Sequence, residues 1–416
     1  MRVASTRSAL EVTLAHAIET GLAPDGGLYM PPRLAPREFS AGEGDLRSRA
    51  IALLEPLFAD EGLDVAQAIA EAFTFDAPTK WLRPDTGLLE LFHGPTAAFK
   101  DFGARFFAAC LGQLRKPGAQ LKTILVATSG DTGAAVASAF HRRDGFRVVI
   151  LYPDGRVSPR QAHQLGAFGD NVRAFRVNGT FDDCQRVVKE AFAQPELRTA
   201  HALSSANSIS LGRLLPQMAY YAHAALSCVA AGKGKPSFVI PTGNLGNAFA
   251  CLLAREYGVP IDRVRLATNA NRVLPDMLAS GQFQPRKSVA TLANAMDVGN
   301  PSNVERLLHR FPKVGEVVSA DWVDDGTISE TIKRSAEVIC PHTACGLEVL
   351  RRLRSRGEAG TWIVAATAHP AKFDSIVEPL IGRKVEVPAA LAELLARPSS
   401  AEPLEPNVQA LANAMI

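Results

Sequence analysis

The chain contains no pair of cysteines in a CxxC spacing, although six cysteines occur in its 416 residues. The spacing of the last two matches no zinc-binding pattern, so no metal site is expected. We interpret the six cysteines as buried, reduced thiols, which favours a reducing compartment. The six are Cys110, Cys184, Cys228, Cys251, Cys340 and Cys345.

The chain also lacks long apolar runs and a strong net charge. No apolar run approaches the ~20 residues of a membrane span, and the N-terminus, MRVASTRSALEV, lacks the apolar core of a signal peptide. Lysine and arginine total 45 against 42 for aspartate and glutamate, a net charge of +3. This balance argues against nucleic acid as a partner. We expect a soluble, cytoplasmic monomer or homodimer that acts on a small molecule and does not bind membranes.

Neither of the two Gly-rich loops, SGDTG (129–133) and GNLGN (243–247), carries a nucleotide fingerprint. The P-loop pattern GxxxxGK[ST] is absent at both. So is GxGxxG with an acidic residue about 20 positions later. A kinase or a dinucleotide oxidoreductase is therefore disfavoured.

Apolar, β-branched segments alternate with helical segments from Leu121 onwards. The stretch LKTILVATSGDTGAAVASAF is typical of a strand, a loop and an Ala-rich helix. Further strands are expected from residues 147, 172, 236, 264 and 361. This alternation predicts an α/β fold with mostly parallel sheets, in which ligands lie beyond the carboxyl ends of the strands.

Residues 1–85 differ from the rest, with a turn-rich stretch, LAPDGGLYMPPRLAP, and helical segments around 46–58 and 63–73. We expect them to form an N-terminal appendage packed on two α/β domains. The smaller domain would span 86–225. The larger would span 226–416 and end in a surface helix and tail over 390–416.

The loop GNLGN follows the apolar strand SFVIP and opens the helix AFACLLARE. A helix N-terminus offers unpaired N–H groups and about half a positive charge. Glycines allow the backbone to approach an anion closely. The loop can therefore hold a phosphate without a lysine, although a ligand-free turn is equally compatible with the pattern. SGDTG has the same position after ILVAT, but Asp131 makes it less suited to a phosphate, so it could orient a substrate.

Lys100 lies in FHGPTAAFKDFG (92–103), among phenylalanines, alanines and glycines. A buried lysine loses its proton more readily, and a neutral amine forms an imine with a carbonyl. The alternative is a lysine whose stem packs while its ammonium group reaches water. A reactive lysine together with a phosphate loop, without a nucleotide motif, suggests pyridoxal phosphate, which is an aldehyde carrying a phosphate.

Several motifs occur along nearly the whole chain in one order: STRS (5–8), LAPDGGLYMP (22–31), FHGPTAAFKDFG, ATSGDTG (127–133), SSANSISLGRLLPQ (204–217), PTGNLGN (241–247), VGNPSNVERL (298–307), CPHTACG (340–346) and ATAHPAKF (366–373). Together they resemble the threonine synthase family, which belongs to the tryptophan-synthase-β-like, fold type II group of pyridoxal-phosphate enzymes. The appendage resembles the longer form of that family.

The resemblance implies a carbon–oxygen lyase that converts O-phospho-L-homoserine and water to L-threonine and phosphate. The reaction is a γ-elimination followed by a β-addition, the last step of threonine biosynthesis. Lys100 would hold pyridoxal 5′-phosphate as a Schiff base and later move protons. The cofactor phosphate would lie on the loop, and Asp131 and Thr367 would lie at the 3′ oxygen and the pyridine nitrogen. The loop residues are Gly243, Asn244, Leu245, Gly246 and Asn247.

The substrate carries a phosphate and a carboxylate. Candidates to bind these groups are Thr96, Ser129, Thr132, Asn207, Ser208 and Arg213. Arg213 can offer two parallel hydrogen bonds to phosphate, or it can be a solvated helix residue. His93 could contact substrate or shape the turn, and residues 300–303 could line the site. For His342 and His369 a capping or core role is at least as compatible with the pattern.

Two positions depart from the family pattern. Ser8 replaces a glycine in the appendage, and Cys340 replaces an aspartate before PHTA. Neither change removes a proposed chemical group. The alternatives are another lyase or a serine/threonine dehydratase of the same fold, which would release a 2-oxo acid and ammonia, or a non-catalytic binding protein on this scaffold.

Overall fold

Three β-sheets organise the chain in the computed structural model, which describes residues 1–42 and 44–415. The elements are numbered below in chain order. No helix of the described residues combines the length and apolar character needed to cross a bilayer.

The N-terminal appendage forms a small antiparallel sheet and three helices. The strands pair in the order β2–β1–β3, and the helices each begin after a capping side chain, because Thr13, Asp45 and Asp64 accept hydrogen bonds from first-turn N–H groups. The predicted helices near 46–58 and 63–73 are confirmed. The elements are β1 (Arg2–Ser5), β2 (Glu11–Thr13), α1 (Leu14–Thr20), β3 (Tyr29–Met30), α2 (Leu46–Leu54) and α3 (Val65–Ala72).

A hairpin and a long helix follow the appendage: β4 (Thr79–Arg83), β5 (Thr86–Glu90) and α4 (Lys100–Leu114). Lys100 is the first residue of α4. The apolar residues around it are explained by this helix, whose phenylalanines Phe102, Phe106 and Phe107 are fully buried.

The next segment winds a parallel sheet with helices on its faces. Strands run through apolar stretches such as Ile124–Val126, which are fully buried as expected for a sheet covered on both sides. The elements are β6 (Lys122–Ala127), α5 (Asp131–Phe140), β7 (Phe146–Pro153), α6 (Pro159–Gly166), β8 (Val172–Val177), α7 (Phe181–Ala193), α8 (Pro195–Ala200), β9 (Leu203–Ser205), α9 (Leu211–Leu214) and α10 (Met218–Ala230).

The last segment builds most of a second parallel sheet and then returns to the first. Its elements are β10 (Ser237–Pro241), α11 (Gly246–Glu256), β11 (Val264–Thr268), α12 (Val273–Ser280), α13 (Val304–Arg310), α14 (Val314–Val317), β12 (Ser319–Trp322), α15 (Asp325–Arg334), α16 (Pro341–Ser355), β13 (Trp362–Ala366), α17 (Asp374–Ile381), α18 (Ala389–Ala396), β14 (Glu402–Leu404) and α19 (Val408–Met415).

The predicted mixed α/β fold with mostly parallel sheets is confirmed. The six-stranded sheet has the order β12–β11–β10–β13–β5–β4, in which only β4 runs antiparallel. The five-stranded sheet has the order β14–β8–β7–β6–β9 and is parallel throughout.

Strands from both sides of the expected boundaries at 85 and 225 belong to the same sheets, so the division into domains stays a prediction. Strands β4 and β5 pair into the six-stranded sheet, where Thr86 lies opposite Trp362. In the tail, β14 adds an edge strand to the five-stranded sheet, where Glu402 lies opposite Phe175. Residues 390–416 are thus more than a surface helix, although Ile416 lies outside the described residues.

One apolar core joins the appendage to both larger sheets. Helix α2 packs against α10, and α3 packs against α4. Leu53, Phe106, Ile124 and Ile240 belong to the same buried cluster. The appendage is therefore part of the folded body, as its turn-rich but apolar sequence indicates, and it reaches the region beyond the strand ends.

Candidate active site

A cavity of about 1310 Å³ lies beyond the carboxyl ends of strands from both parallel sheets. Ala127 ends β6 and Pro241 ends β10, while Thr367 follows β13, and all three line the cavity. This is where a mostly parallel sheet is expected to bind ligands. The cavity gathers most of the predicted site residues: Lys100, Ser129, Asp131, Thr132, Asn207, Ser208, Arg213, Gly243, Asn244, Leu245, Gly246, Asn247 and Thr367.

The GNLGN loop forms one wall of the cavity and fits an anion with its main chain. Leu245 adopts a left-handed conformation with φ of 64°, and α11 begins directly after it without a side-chain cap. No hydrogen bond between described residues takes up the backbone N–H groups of residues 243–247. Uncapped N–H groups at a helix start attract a phosphate, so the loop has the donors that a phosphorylated cofactor needs.

Gly243 is required in this loop because of a close approach. A Cβ atom at residue 243 would lie 2.8 Å from the Cα atom of Met296 and 3.1 Å from a methyl group of Val298. Only a residue without a side chain lets the loop lie this near the neighbouring backbone.

The side chains of the two asparagines of the loop form hydrogen bonds with other residues of the protein. Asn244 Nδ2 donates to Ser208 Oγ, and its Oδ1 accepts from the Ser302 N–H at 2.6 Å. Asn247 Oδ1 accepts from Thr242 Oγ1 and from the Ala248 N–H, both at 2.8 Å. These side chains therefore hold the loop in shape, and the main chain remains to bind the anion.

The SGDTG loop presents a second helix start to the same cavity. Gly130 has φ of 126°, which a side chain would disfavour, and α5 begins at Asp131. Thr128 Oγ1 accepts from the N–H groups of Gly130 and Gly133, at 3.0 and 2.9 Å. The flanking Ser129 and Thr132 face the cavity as half-buried hydroxyls, which can donate to a carboxylate.

Lys100 meets the carboxylate of Asp131 at the edge of the cavity. The distance from Lys100 Nζ to Asp131 Oδ2 is 3.7 Å, and the side chain of Lys100 is 15% exposed. Burial lowers the pKa of Lys100 to about 8, Asp131 opposes this shift, and the charges of Lys372 and Arg213 add to it. A substantial fraction of the amine is therefore neutral just above pH 7, which is the form that attacks an aldehyde.

Asp131 is buried between two lysines. Its Oδ1 lies 2.7 Å from the Nζ of Lys372 and accepts from Gln161 Nε2 at 3.0 Å. Burial opposes ionisation, but the charges of Lys372 and Lys100 outweigh it and hold the pKa of the Asp131 carboxyl well below its usual range. Asp131 is thus a carboxylate, and not a protonated acid, at neutral pH.

Sequence reasoning did not single out Lys372, which is fully buried. It lies in the motif ATAHPAKF, 241 positions from Asp131, and no local pattern indicates that the two side chains meet.

His342 also lines the cavity, at the start of α16. Its Nε2 accepts from the Ala295 N–H at 3.1 Å. Burial lowers the pKa of His342 to about 4, so the imidazole is neutral at neutral pH. It supplies a structural acceptor next to the Asp131 carboxylate.

Arg213 is a buried cation that faces the cavity without a carboxylate partner among the described residues. One terminal N–H donates to the Ala206 carbonyl at 2.5 Å, and Nε has no hydrogen-bond partner. Burial lowers the pKa of Arg213 to about 10, which still leaves the guanidinium charged at neutral pH. An unpaired buried cation with a free donor fits an anionic ligand.

Thr367 is positioned by the segment that carries Lys100. The Phe99 N–H donates to the Thr367 carbonyl at 2.9 Å, so the end of β13 is tied to the residue before the lysine. Asn300 and Ser302 also line the cavity, as was suggested for the 300–303 turn.

Thr96, by contrast, is not at the cavity. Its Oγ1 donates to Asp101 Oδ1 at 2.6 Å, its N–H donates to Asp101 Oδ2 at 2.8 Å, and the residue is fully buried. That Thr96 binds substrate stays a prediction, but in this structure its hydroxyl is used within the turn before α4.

The histidines near Lys100 and Thr367 have structural partners as well. His93 Nε2 lies 2.8 Å from Glu90 Oε2 on an exposed surface. His369 Nδ1 accepts from the Ala371 N–H at 3.2 Å, which caps the turn at Pro370–Phe373. Neither lines the cavity.

The appendage supplies a wall of the cavity that the sequence did not predict. Arg7, Gly26 and Tyr29 line it. The fully buried Arg306 stabilises this wall, because its guanidinium donates to the Tyr29 carbonyl and to Asn303 Oδ1. Its position in a helical pattern, VERLLHR, gives no signal that it is buried.

Both departures from the family pattern find hydrogen-bond partners. Ser8 Oγ donates to Asp25 Oδ2 at 2.5 Å, in a cluster where Ser5 also donates to that carboxylate. The Cys340 sulfur accepts from the Thr343 N–H at 3.4 Å and so caps α16. The thiol therefore retains a capping function, although it is a weaker acceptor than an oxygen.

Comparison with families of known proteins adds two matches. The pyridoxal-phosphate dependent enzyme family matches residues 88–367, and the threonine synthase C-terminal family matches residues 343–416. The first match contains Lys100, both Gly-rich loops and Thr367.

Individual relatives match over almost the full length. Threonine synthase of Escherichia coli is 40% identical over 425 residues, which cover 98% of this chain and 97% of the relative. Threonine synthase of Serratia marcescens is 41% identical over 394 residues, 92% of this chain and 91% of the relative.

Solved structures agree with these matches. The crystal structure of threonine synthase from Escherichia coli has a TM-score of 0.90 at 37% identity and covers 100% of this chain and 99% of that one. A pyridoxal-phosphate-bound threonine synthase from Brucella melitensis has a TM-score of 0.88 at 34% identity, with 100% and 98% coverage.

Proposed function

Since the chain belongs to the pyridoxal-phosphate-dependent enzymes, and within them to the threonine synthases, we propose how its residues convert O-phospho-L-homoserine and water to L-threonine and phosphate. The observation that carries the proposal is one cavity lined by a lysine amine, an uncapped Gly-rich helix start and a buried arginine that has no anionic partner among the described residues. The first two fit the cofactor, and the third fits a phosphorylated substrate.

The residues that would hold pyridoxal 5′-phosphate are Lys100 at its aldehyde carbon, the N–H groups of residues 243–247 at its phosphate, Asp131 beside its 3′ oxygen and Thr367 at its ring nitrogen. When bound, the cofactor supplies an electron sink that acidifies the C–H bonds at Cα and then Cβ of the substrate. The free N–H groups of the loop support this assignment.

At the ring nitrogen of the bound cofactor, Thr367 would limit how strongly that sink draws electrons. A hydroxyl can donate a hydrogen bond to the ring nitrogen, but unlike a carboxylate it cannot keep that nitrogen protonated. We therefore expect elimination and addition to be favoured over transamination.

Lys100 is the residue that moves protons. With a pKa of about 8, its amine is partly neutral near pH 7, so Nζ can take the proton from Cα and return it later. Asp131 Oδ2, 3.7 Å away, attracts the ammonium form and keeps the Nζ atom near the reacting carbons. His342 is neutral and anchored to the Ala295 N–H, so we assign it no proton transfer.

The two anionic groups of the substrate find different donors. Arg213 is charged and buried, it has no carboxylate partner in the described part of the chain, and we assign it to the substrate phosphate. Ser129 and Thr132, at the start of α5, are assigned to the substrate carboxylate, because the helix start and two hydroxyls favour a negative group there. Asn207 and Ser208 also line the cavity and are further candidates for these contacts.

The direct test is product formation by the full-length protein with pyridoxal phosphate and O-phospho-L-homoserine in ¹⁸O-labelled water. We expect threonine and phosphate in equal amounts. The label should enter the threonine hydroxyl and be absent from the phosphate, because the Cγ–O bond breaks and water adds at Cβ.

Three other outcomes would overturn the proposal. Homoserine with labelled phosphate would indicate a phosphatase, since the P–O bond would have broken. A 2-oxo acid with ammonia would indicate a lyase or dehydratase that does not add water at Cβ. A preparation that binds no pyridoxal phosphate would indicate a binding protein.

A further inference from the structure

A second lysine, Lys372, contacts the cavity-lining Asp131, and the proposed mechanism has no use for it. Its side chain is fully buried. Its Nζ lies 2.7 Å from Asp131 Oδ1 and donates to the Thr96 carbonyl at 2.8 Å. Burying an ammonium group is costly unless an anion and hydrogen bonds compensate it, and here both are present.

We propose that Lys372 is a positioning residue that holds Asp131 by one carboxylate oxygen and cancels its charge, so that the other oxygen stays turned toward Lys100. The inference deepens the proposed function and rests on the role of Lys100 in it. Lys372 itself touches neither substrate nor cofactor in this account.

The contacts of Asp131 divide between its two oxygens in a way that supports this role. Oδ1 receives the Lys372 ammonium group and the amide of Gln161 at 3.0 Å. Oδ2 faces Lys100 Nζ at 3.7 Å, which is too long for a strong hydrogen bond. The carboxylate is therefore fixed from one side and available on the other.

Charge balance gives the reason for such a pair. A lone buried carboxylate beside Lys100 would stabilise the ammonium form of Lys100 and deprive it of its reactive neutral form. It would also repel a negative 3′ oxygen on the cofactor ring. A carboxylate whose charge is largely balanced by Lys372 keeps an acceptor at this place and weakens both effects.

Other charged groups around the two lysines do not replace Lys372. Arg213 also faces Lys100, and the neutral His342 lies near both lysines. Asp101 and His369 lie within electrostatic reach of Lys372, but Asp101 is held by the Thr96 hydroxyl and N–H. Only Lys372 forms an ion pair with Asp131 Oδ1 among the described residues.

A test that does not depend on turnover is the capture of pyridoxal phosphate by the full-length, cofactor-free protein. Its rate constant, measured by stopped-flow absorbance from pH 6 to 10, follows the neutral fraction of the Lys100 amine. In the wild type we expect an inflection near the Lys100 pKa of about 8. In Lys372→Met, which removes the charge and keeps the length, the inflection should move up by about one pH unit or more, with capture at pH 7 about tenfold slower.

Two further variants separate charge from packing. Asp131→Asn should move the inflection down, because Lys100 loses an attraction and keeps the repulsion of Lys372. The double variant Asp131→Asn/Lys372→Met should return it toward the wild-type value. The control is Lys384→Met, at a surface lysine that is 91% exposed, which should behave like the wild type.

The proposal is overturned if Lys372→Met titrates like the wild type, or if the double variant titrates like Lys372→Met. If Lys372→Met does not fold, a folded double variant supports the charge pair, and an unfolded one shows that Lys372 is needed for packing alone. Capture needs no substrate. A wild type that captures the cofactor but makes no threonine would therefore contradict the proposed function and leave this inference standing.

Discussion

The fully buried guanidinium of Arg306 donates two hydrogen bonds to the backbone carbonyl of Tyr29, with distances of 3.1 Å from Nε and 2.8 Å from Nη2. The same group donates to the Ile209 carbonyl and to Asn303 Oδ1, and Asn303 Nδ2 donates to the Asn244 carbonyl at 2.9 Å. One side chain thus joins the appendage, a loop beside Ser208 and the Gly-rich loop.

Arg306→Met should therefore weaken both the fold and the cofactor site. Three buried acceptors lose their donor, and we expect the free energy of unfolding to fall by about 2–4 kcal/mol. The dissociation constant for pyridoxal phosphate should rise, since the Gly-rich loop loses its support. Urea unfolding and a fluorescence titration measure the two effects.

The matched control for this change is Arg142→Met, where the arginine is 75% exposed. It should change the free energy of unfolding by less than about 0.5 kcal/mol. Arg306→Lys should lower the free energy of unfolding by an intermediate amount, because a single ammonium group cannot reach all three acceptors. Equal losses in Arg306→Met and Arg142→Met would contradict the role of Arg306.

Arg213→Ala should raise KM for O-phospho-L-homoserine by about 10- to 100-fold, because a charge-assisted contact to phosphate contributes about 1.5–3 kcal/mol. Arg213→Lys should retain part of the affinity. Steady-state kinetics measures the change, and an unchanged affinity for pyridoxal phosphate shows that the cofactor loop is intact. If KM stays at the wild-type value, Arg213 only holds the Ala206 carbonyl.

Gly243→Ala should weaken cofactor binding by about tenfold or more. The added methyl group would lie 2.8 Å from the backbone Cα atom of Met296, so the loop must move and its N–H groups lose their alignment. Absorbance titration with pyridoxal phosphate measures the effect. Gly315→Ala is the matched control, since a methyl group there meets open space and favours the helix.

The fold was largely predictable from local patterns. The apolar runs near 121, 147, 172, 236, 264 and 361 are strands, because a continuous β-branched run bounded by Gly-rich loops has few other stable outcomes. The edge strand β14 was not predicted. Its short stretch, Glu402–Leu404, contains a proline and becomes a strand only because β8 offers a free edge.

The site was predictable where sequence motifs carry main-chain geometry, as in GNLGN and SGDTG. Thr96 shows the limit of such reasoning, because residues close to Lys100 in sequence can face away from it. Thr96 bonds to Asp101, five positions later, on the buried side of the turn. Proximity to a catalytic residue in sequence is therefore weak evidence for substrate contact.

Lys372 and Arg306 show a different limit. Each side chain acts through a partner more than 200 positions away, Asp131 for Lys372 and Tyr29 for Arg306. In sequence, both are ordinary cations in helical or turn segments. Their burial depends on tertiary packing, which no local periodicity reports.

Lys100→Ala should abolish threonine formation and leave the protein folded. The lysine is the first residue of α4, its Nζ lies 3.7 Å from Asp131 Oδ2 and 5.1 Å from the centre of the Phe99 ring, and alanine is a good helix former. We expect the free energy of unfolding to change by less than about 1 kcal/mol and the visible absorbance from bound cofactor to be lost. Lys333→Ala, at a half-exposed surface lysine, is the control and should keep full activity. Turnover in Lys100→Ala would remove the proposed mechanism.

Stability should fall as the pH is lowered from about 6.5 to about 4, in part because of His342. Burial lowers its pKa from 6.5 to about 4 in the folded protein. In this window the unfolded chain binds a proton at the imidazole and the folded chain does not, so acid favours unfolding. The full shift corresponds to about 3 kcal/mol.

Asp297 has the opposite effect on stability over the same pH range. Burial raises the pKa of its carboxyl to about 7, so the folded chain binds a proton there at a higher pH than the unfolded chain does. The effect of His342 must therefore be read from a difference between proteins. His342→Gln places an amide oxygen where Nε2 accepts from Ala295 and removes the titration. Urea unfolding at pH 7 and pH 5 should show a smaller loss of stability in His342→Gln than in the wild type, by about 2 kcal/mol. An equal loss in both proteins would mean that His342 already carries a proton in the folded state at pH 5.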